Sequence, residues 1–455
     1  MKRITALAAA AVLLLAAAQF PAAGSAAAAG LSPLDATEIQ FSYDKLRSDF
    51  YKKTDPQAIV NGARSEMQRQ LKTAGVTATL PPIFANESVD RTAKAVGHEV
   101  DVATRLARGK VSAHTFAYAA IAGMLNSVND KYTVFLNPKE YAALNQGLDG
   151  GSFAGTGIVI QQDPDTKYID VSNVVPDGPA DKAGVQQDDV ILAIDGVSTK
   201  GLTIEQASSR LRGKAGTQVQ LSIQRDGKAL GQPIQIVRAQ IHQLSVYEKM
   251  LPGKIGYVDL TVFGRDTGDE LTRALDRLQQ EGARAIVMDL RDNGGGYLEA
   301  ALDVSSKFIA SGPIVSVESR ASNVTTYEAE NTAIPPLPLA VLVNGHTASA
   351  SEITSGAIQD SGVGTIIGTR TFGKGVVQEI LPLPDGSAIK ITDARYLTPH
   401  NRDINHLGIV PDIVVDENKG ARQGDPAHDV QLARALSFLN DKIAHTGGGA
   451  SGGGQ

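Results

Sequence analysis

The sequence predicts an α/β core of mixed sheet and helices, with an inserted small α+β domain and an N-terminal helical region. Three observations lead there. Apolar residues recur at helical spacing before residue 146, and short β-rich runs broken by Gly, Pro and Asp turns fill the middle. After residue 240, strand-like and helix-like segments alternate, which argues for a layered core with much parallel pairing. At 455 residues the chain is too long for one ordinary hydrophobic core, so two or three domains are expected.

Residues 1–30 read as a signal peptide. Lys2 and Arg3 precede an apolar run over 6–18, and small residues follow over 22–30. The run falls short of the roughly 20 residues a membrane span needs. Export to a periplasm or cell envelope, or secretion, is the expectation, and a retained N-terminal anchor is the alternative. The chain has no cysteine, so export is inferred from the leader and not from disulfide chemistry.

Residues 31–146 form the helical region, with Phe41, Leu46 and Phe50, then Phe116, Ala119, Ala120 and Leu125, near helical spacing. The stretch 130–138 (DKYTVFLNP) reads as irregular, and its task is to cap or pair the core. Residues 147–240 open on five glycines in GLDGGSFAGTG. Strands are expected at 158–160, 169–175, 190–194 and 219–224, with one helix over 203–212 capped by Thr203. The core, 241–420, has β runs at 256–260, 285–290, 314–317, 339–343 and 365–367, and helices at 269–280, 297–309 and 349–359. Residues 421–455 supply a helix over 429–443 and a Gly/Ser tail expected to be disordered.

Composition narrows function. A net charge of −6 with no basic stretch disfavours nucleic acid as a partner. The eight histidines are scattered without HExxH or other zinc spacing, so no metal or other cofactor is expected.

Residues 339–360 (LAVLVNGHTASASEITSGAIQD) read as a buried strand, a tight turn of small residues and a helix. Ser349 at that turn projects its hydroxyl from a sharp corner, and the first helical turn, from Ala350, offers amides to a developing oxyanion. Taken alone, Ser349 is equally an ordinary helix N-cap. As base, His346 lies near in sequence, but no spacing points to an orienting carboxylate. Lys374 lies in TFGKGVVQ (371–378), beside Phe372 and Val376 and with no acidic neighbour in that segment, which favours a neutral amine. In an extended segment Lys374 and Gln378 point the same way, so Gln378 can hold the amine toward the serine. GTRTFGKG (368–375) imitates a phosphate-binding loop, but Gly375 stands where Ser or Thr must ligate magnesium and VVQEI follows where a helix should begin. AIVMDLRDNGGG (285–296) ends a β run in glycines, and Gly294 or Gly295 can add a second oxyanion amide.

These segments, in this order, resemble the C-terminal processing peptidases, or tail-specific proteases. GHTASASE (345–352) looks like the family's nucleophile turn and implies Ser349 as nucleophile. TFGKGVVQ implies Lys374 as base and Gln378 as its orienting partner. DLRDNGGG resembles the oxyanion segment, GIVPD (408–412) a segment near the end of the core, and LRGKAGT (211–217) the Arg-Gly turn of an attached PDZ domain. Thr347, Gly294 and Lys131 depart from the family pattern without removing a catalytic group. The resemblance makes 147–240 a PDZ-like domain and 241–420 a serine protease core. In the former, Gly155, Thr156, Gly157 and Ile158 (GTGI) are placed to take a terminal carboxylate ahead of a strand. The implied function is serine endopeptidase cleavage of exported or envelope proteins chosen by their C-termini. A homo-oligomer is left open, and the alternative is a non-catalytic PDZ scaffold on the same fold.

Overall fold

A computed structural model of the chain describes residues 30–148, 153–163, 166–175, 178–241, 244–320, 323–418 and 423–447. The expected signal peptide and the Gly/Ser tail after 447 therefore lie outside the described residues. Four helices build the N-terminal region: α1 (Pro33–Ser48), α2 (Pro56–Thr73), α3 (Val89–Ala107) and α4 (Ala113–Asn126). Each starts on a polar cap, Ser32, Asp55, Ser88 or Ser112, whose side-chain oxygen accepts a backbone N–H of the first turn. Their apolar faces, including Tyr43, Met67, Val100 and Phe116, make one buried cluster. The α2–α4 crossing is set by Gly62 and Gly123. A Cβ on Gly62 would come within 2.2 Å of the Gly123 carbonyl oxygen, so the two backbones touch there.

The segment 130–138, expected to be irregular, instead holds a strand, β1 (Val134–Leu136), followed by α5 (Pro138–Leu148). Its pairing task is as expected, since it joins a core strand described below.

The inserted domain contains β2 (Phe153–Gly155), β3 (Ile158–Gln162), β4 (Ile169–Val174), α6 (Pro179–Lys182), β5 (Val190–Ile194) and β6 (Val197–Ser198). It continues with α7 (Ile204–Leu211), β7 (Gln218–Arg225), β8 (Lys228–Ala229), β9 (Ile234–Val237) and β10 (Ala239–Ile241). Thr203 caps α7 in a reciprocal arrangement with Gln206, as its sequence predicts. The sheet runs β3-β4-β5-β7-β8, with β9 on β7, and β2 pairs separately with β10. Ile169, Val171, Ile191, Ala207, Leu221 and Ile236 fill a core of their own.

The last region comprises β11 (Val246–Leu251), β12 (Ile255–Leu260), α8 (Thr267–Gln280), β13 (Ala285–Asp289), α9 (Leu298–Ser306), β14 (Pro313–Ser319) and β15 (Val324–Glu328). Then come β16 (Leu339–Val343), α10 (Ala350–Ser361), β17 (Thr365–Gly368), β18 (Val376–Pro382), β19 (Ala388–Leu397), β20 (Ile413–Val414) and α11 (Val430–Gly447). The main sheet, β11-β12-β13-β16-β17-β20, is parallel apart from β11. Its central strands β13 and β16 are buried throughout, as continuous apolar runs in a two-sided sheet must be. The run at 314–317 does not join it. As part of β14 it belongs to a second, antiparallel sheet with β15, β18, β19 and β1. Alternation in β18 and β19 explains how this sheet binds the helical region: Leu383, Ile389 and Ile391 enter the helical cluster while intervening residues face away.

The tip of the β18–β19 hairpin also meets the helices through polar groups. The Asp385 N–H donates to Glu38 at 3.2 Å, and the Tyr118 hydroxyl donates to the Asp385 carboxylate. The other Glu38 oxygen has no hydrogen-bond partner among the described residues. Burial, then the Asp385 charge, push Glu38 up to about 7. A folded-state value above the unfolded one means that stability falls as pH rises from the usual carboxylate range through about 7. Glu38→Gln removes that loss. Its urea midpoint should exceed the parent's at pH 8 by an amount worth roughly 1–3 kcal/mol, and most of the gap should vanish at pH 5. A gap that is equal at both pH values would rule this account out.

Candidate active site

Buried strand β16 delivers the chain to a turn that the Thr347 hydroxyl closes. It accepts the Asn344 N–H at 2.9 Å and donates to the Leu290 carbonyl at 2.8 Å. Thr347, a departure from the family pattern, is therefore structural. Ser349 follows with φ 57 and ψ −119, a region that costs a non-glycine residue roughly 1–3 kcal/mol and persists only where its surroundings impose it. Ala350 begins α10.

The glycine loop after β13 lies against this turn. The Asn293 carbonyl accepts from the Ala348 N–H and the Ser351 hydroxyl, both at 3.0 Å. Gly295, at φ 97, leaves no space for a side chain: a Cβ there would sit 2.7 Å from the Ala348 oxygen and 2.8 Å from the Ser349 Cβ. Its N–H donates to the Asn293 side chain at 2.9 Å. Gly294 is exposed. Below the loop, the buried Arg291 binds Asp289 from β13 and Asp429 at the start of α11, and the Tyr257 hydroxyl donates to Asp289 at 2.7 Å.

Two groups tie the Ser349 turn to the segment holding Lys374. The first is the buried carboxylate of Glu352. One of its oxygens accepts the N–H groups of Ser349 at 3.0 Å and Lys374 at 2.8 Å. The other accepts the Gly373 N–H at 2.7 Å and the Thr371 hydroxyl at 2.5 Å. Burial raises its pKa, and these donors only partly pull it back, so it stays above the usual carboxylate range. The second group is the buried Tyr396 hydroxyl from β19, 2.6 Å from the Lys374 carbonyl and 3.3 Å from that of Ser349. The structure thus brings Ser349, Ala350, Gly295 and Lys374 into one neighbourhood.

Lys374 is half-buried, its Nζ 5.0 Å from the centre of the Tyr132 ring. Burial first, and Lys390 second, drive its pKa down to about 8, with Lys131 adding to them against Glu352 and Asp130. The expected apolar cover is only half right. Val376 is buried but Phe372 is exposed, and the wall is Tyr132 from the segment before β1. The Gln378 Nε2 donates to the Val376 carbonyl at 3.2 Å, and no hydrogen bond joins Gln378 to the amine among the described residues.

His346 requires a correction. It does have a carboxylate, Asp292, 2.8 Å from its Nδ1, supplied by the glycine loop 54 residues away and so invisible to local spacing. Burial pushes Asp292 up, but hydrogen bonds from Asn344, His346 and Gln423 outweigh that and hold it below the usual range. The His346 side chain is 72% exposed. Sequence reasoning also missed the use of Glu352, Tyr396 and Tyr132. The Ser-x-x-Glu spacing of a capping box, present at 349–352, was the one signal available.

Glu352→Gln tests the bracket. Whichever way the amide turns, its NH2 faces backbone donors that previously met an oxygen. The peptidase activity that the resemblance implies should fall on the order of 100-fold through misplacement of Ser349 and Lys374, while circular dichroism stays that of the parent. Activity within a factor of about three of the parent would show that the bracket does not matter for the reaction.

Comparison with known proteins agrees with this layout. Residues 254–415 match peptidase family S41 and residues 171–225 match a PDZ domain. The chain is 37% identical over 332 residues to the carboxyl-terminal-processing protease of Picosynechococcus sp., covering 72% of this chain and 80% of that one. It is 38% identical over 334 residues to the Synechocystis sp. protease of the same name, covering 72% and 78%. A solved photosystem II D1 C-terminal processing protease aligns over 85% of this chain and 94% of its own, at 30% identity and a TM-score of 0.46. Identity of this extent across most of both chains, with the S41 and PDZ matches in the expected order, shows that the chain belongs to the C-terminal processing peptidases, serine-type peptidases with a PDZ domain.

Proposed function

We propose that the chain is an exported serine endopeptidase that cuts with Ser349 and Lys374 and chooses substrates by their C-termini. The observation that carries this reading is the shared bracket of Glu352 and Tyr396 on the backbones of both residues, beside an amine held at about 8. Ser349 attacks the scissile carbonyl, neutral Lys374 takes the hydroxyl proton, and the ammonium later returns it to the leaving amine. Ala350 at the start of α10 supplies one oxyanion amide. Gly294 supplies the second, because the Gly295 N–H is already engaged by Asn293. On this reading the Gln378 Oε1 accepts from the amine while its Nε2 donates to Val376.

Substrate choice rests on the PDZ domain. β3 is an edge strand of its sheet, so a peptide can add to it as a further strand. Gly155 is paired with Ala239, Thr156 is buried, and Gly157 turns at φ 78 immediately before Ile158 begins β3. Ile158 and Ile160 both pack onto the domain core, beside the edge a peptide would occupy. The substrates are exported or envelope proteins, in keeping with the leader. No helix among the described residues is long and apolar enough to cross a membrane.

Ser349→Ala and Lys374→Ala should each abolish cleavage of an unfolded tail peptide about as fully as the double variant, because they act as one unit. Lys374→Arg should also be inactive, since guanidinium stays charged. His346→Ala should keep substantial activity; if it is as inactive as Lys374→Ala while folded, the base is His346 with Asp292. Because the base works only when neutral, kcat/KM should rise with pH through about 8 and then level off. A flat profile between about pH 6 and 9, with chemistry rate-limiting, counts against lysine.

Amidating the substrate C-terminus should slow cleavage by the intact enzyme but not by a form lacking the PDZ domain. Equal rates on free-acid and amidated substrates in the intact enzyme would end the tail-capture reading and leave the Ser–Lys chemistry standing. A folded parent enzyme that cuts neither would favour the non-catalytic scaffold.

A further inference from the structure

The lysine that the proposed reaction uses does not stand alone. β19 carries Lys390 between two cross-strand neighbours, Val134 of β1 and Ile380 of β18. Its sequence neighbours Ile389 and Ile391 are buried in the helical cluster, so strand alternation sends Lys390 to the opposite face of the sheet. Gln378 and Ile380 share that face, being even steps apart on β18. Thr133 in the segment that supplies Tyr132 is fastened to the same strand, its hydroxyl accepting the Thr392 N–H at 3.1 Å. The Lys374 amine thus rests over Tyr132, and the segment carrying Tyr132 is fastened to β19 two residues from the half-buried Lys390.

We propose that Lys390 is a positioning residue for the Ser349–Lys374 reaction, the second cation of the site, acting on the scissile bond only through Lys374. This rests on the Ser–Lys reading above. A positive charge on Lys390 near the amine opposes its protonation and leaves more of it able to accept the serine proton.

The other charged groups facing Lys374 are few. Glu352 of α10 favours the ammonium but is already occupied by four donors, two of them the N–H groups of Gly373 and Lys374. Asp130, in the segment before β1, also favours the ammonium; burial, the larger influence on Lys390, pulls that lysine's own pKa down, and Asp130 opposes it only in part. Its oxygens accept the Tyr132 N–H and the Thr133 hydroxyl. Lys131 acts in the same direction as Lys390, but it is exposed and its Nζ rests near the Tyr132 and Phe372 rings. Water and salt screen it, whereas Lys390 lies where screening is weak. Lys390 is thus the cation whose removal should be felt.

The test is the acid limb of kcat/KM against pH for the full-length enzyme cutting one free-acid tail peptide. Lys390→Met should move that limb to higher pH, lowering the rate at pH 6.5 roughly threefold or more, equivalent to about half a pH unit. The alkaline plateau should be kept. Lys390→Arg should restore the parent limb or move it to lower pH, because the charge is retained. Lys390→Gln, smaller and polar, serves as the second neutral variant should the methionine disturb folding, which is followed by thermal unfolding. Lys131→Met should shift the limb less, and only at low salt. A limb that is unmoved in both neutral variants, or moved equally in Lys390→Arg, overturns the proposal. Failure of the underlying reading is seen separately: Lys374→Ala would then remain active whatever Lys390 does.

Discussion

The carboxylate of Glu352 is the constraint on which the site depends. It is fully buried, and an ionised carboxylate is tolerated there only if its lone pairs are taken up by donors. Four donors converge on it, from Ser349, Thr371, Gly373 and Lys374. Satisfying the carboxylate therefore fixes two chain segments that are distant in sequence. It also maintains the unfavourable φ of Ser349, because relaxing that residue would withdraw its N–H from the buried oxygen. The Ser349 and Lys374 segments are consequently positioned as one body.

The same carboxylate explains how Lys374 escapes an ion pair. A lysine facing a free carboxylate would be held as ammonium and could not take a proton. Here the buried carboxylate is taken up by three backbone N–H groups and the Thr371 hydroxyl, and among the described residues no carboxylate lies within ion-pair distance of the amine. Contact with the Tyr132 ring favours the ammonium modestly, but burial and the neighbouring lysines act the other way, and the net result is about 8. The helical region supplies this environment. Its exit segment carries Asp130, Lys131 and Tyr132 to the core and is held there by β1 on β19.

Much of this was legible in the sequence. Thr203 marked a helix start because a cap is a local interaction, and Ser32, Asp55, Ser88 and Ser112 cap their helices in the same local way. The all-apolar runs of β13 and β16 announced a two-sided parallel sheet. What escaped notice involves pairing across long separations. β1 looked irregular because three residues flanked by Asp, Lys, Asn and Pro carry little period, and only β19, about 250 residues on, makes them a strand. The run at 314–317 was apolar enough for the main sheet, and nothing local told which of two sheets it would join. Asp292 beside His346 and Tyr396 over the Ser349 and Lys374 segments are likewise products of tertiary folding. Glu352 carries one local signal, the Ser-x-x-Glu spacing of a capping box, but nothing local shows that it also binds the segment holding Lys374.

The glycine loop follows the same logic with a second buried charge system. Arg291 is held between Asp289 on β13 and Asp429 at the head of α11, with Tyr257 completing Asp289. Such a triad is weak evidence for stability, since its desolvation offsets much of its attraction. Its geometric consequence is stronger: the planar guanidinium fixes the direction in which the chain leaves β13. Two residues later the Asn293 carbonyl accepts from Ala348 and Ser351, and the Asn293 side chain takes the Gly295 N–H. The loop is thus fixed from beneath by charge and from the side by the nucleophile turn. Neither buried system needs to touch substrate. Each holds its ions with backbone N–H groups, a buried hydroxyl or another buried ion, so that neither carboxylate system is left to pair with the Lys374 amine.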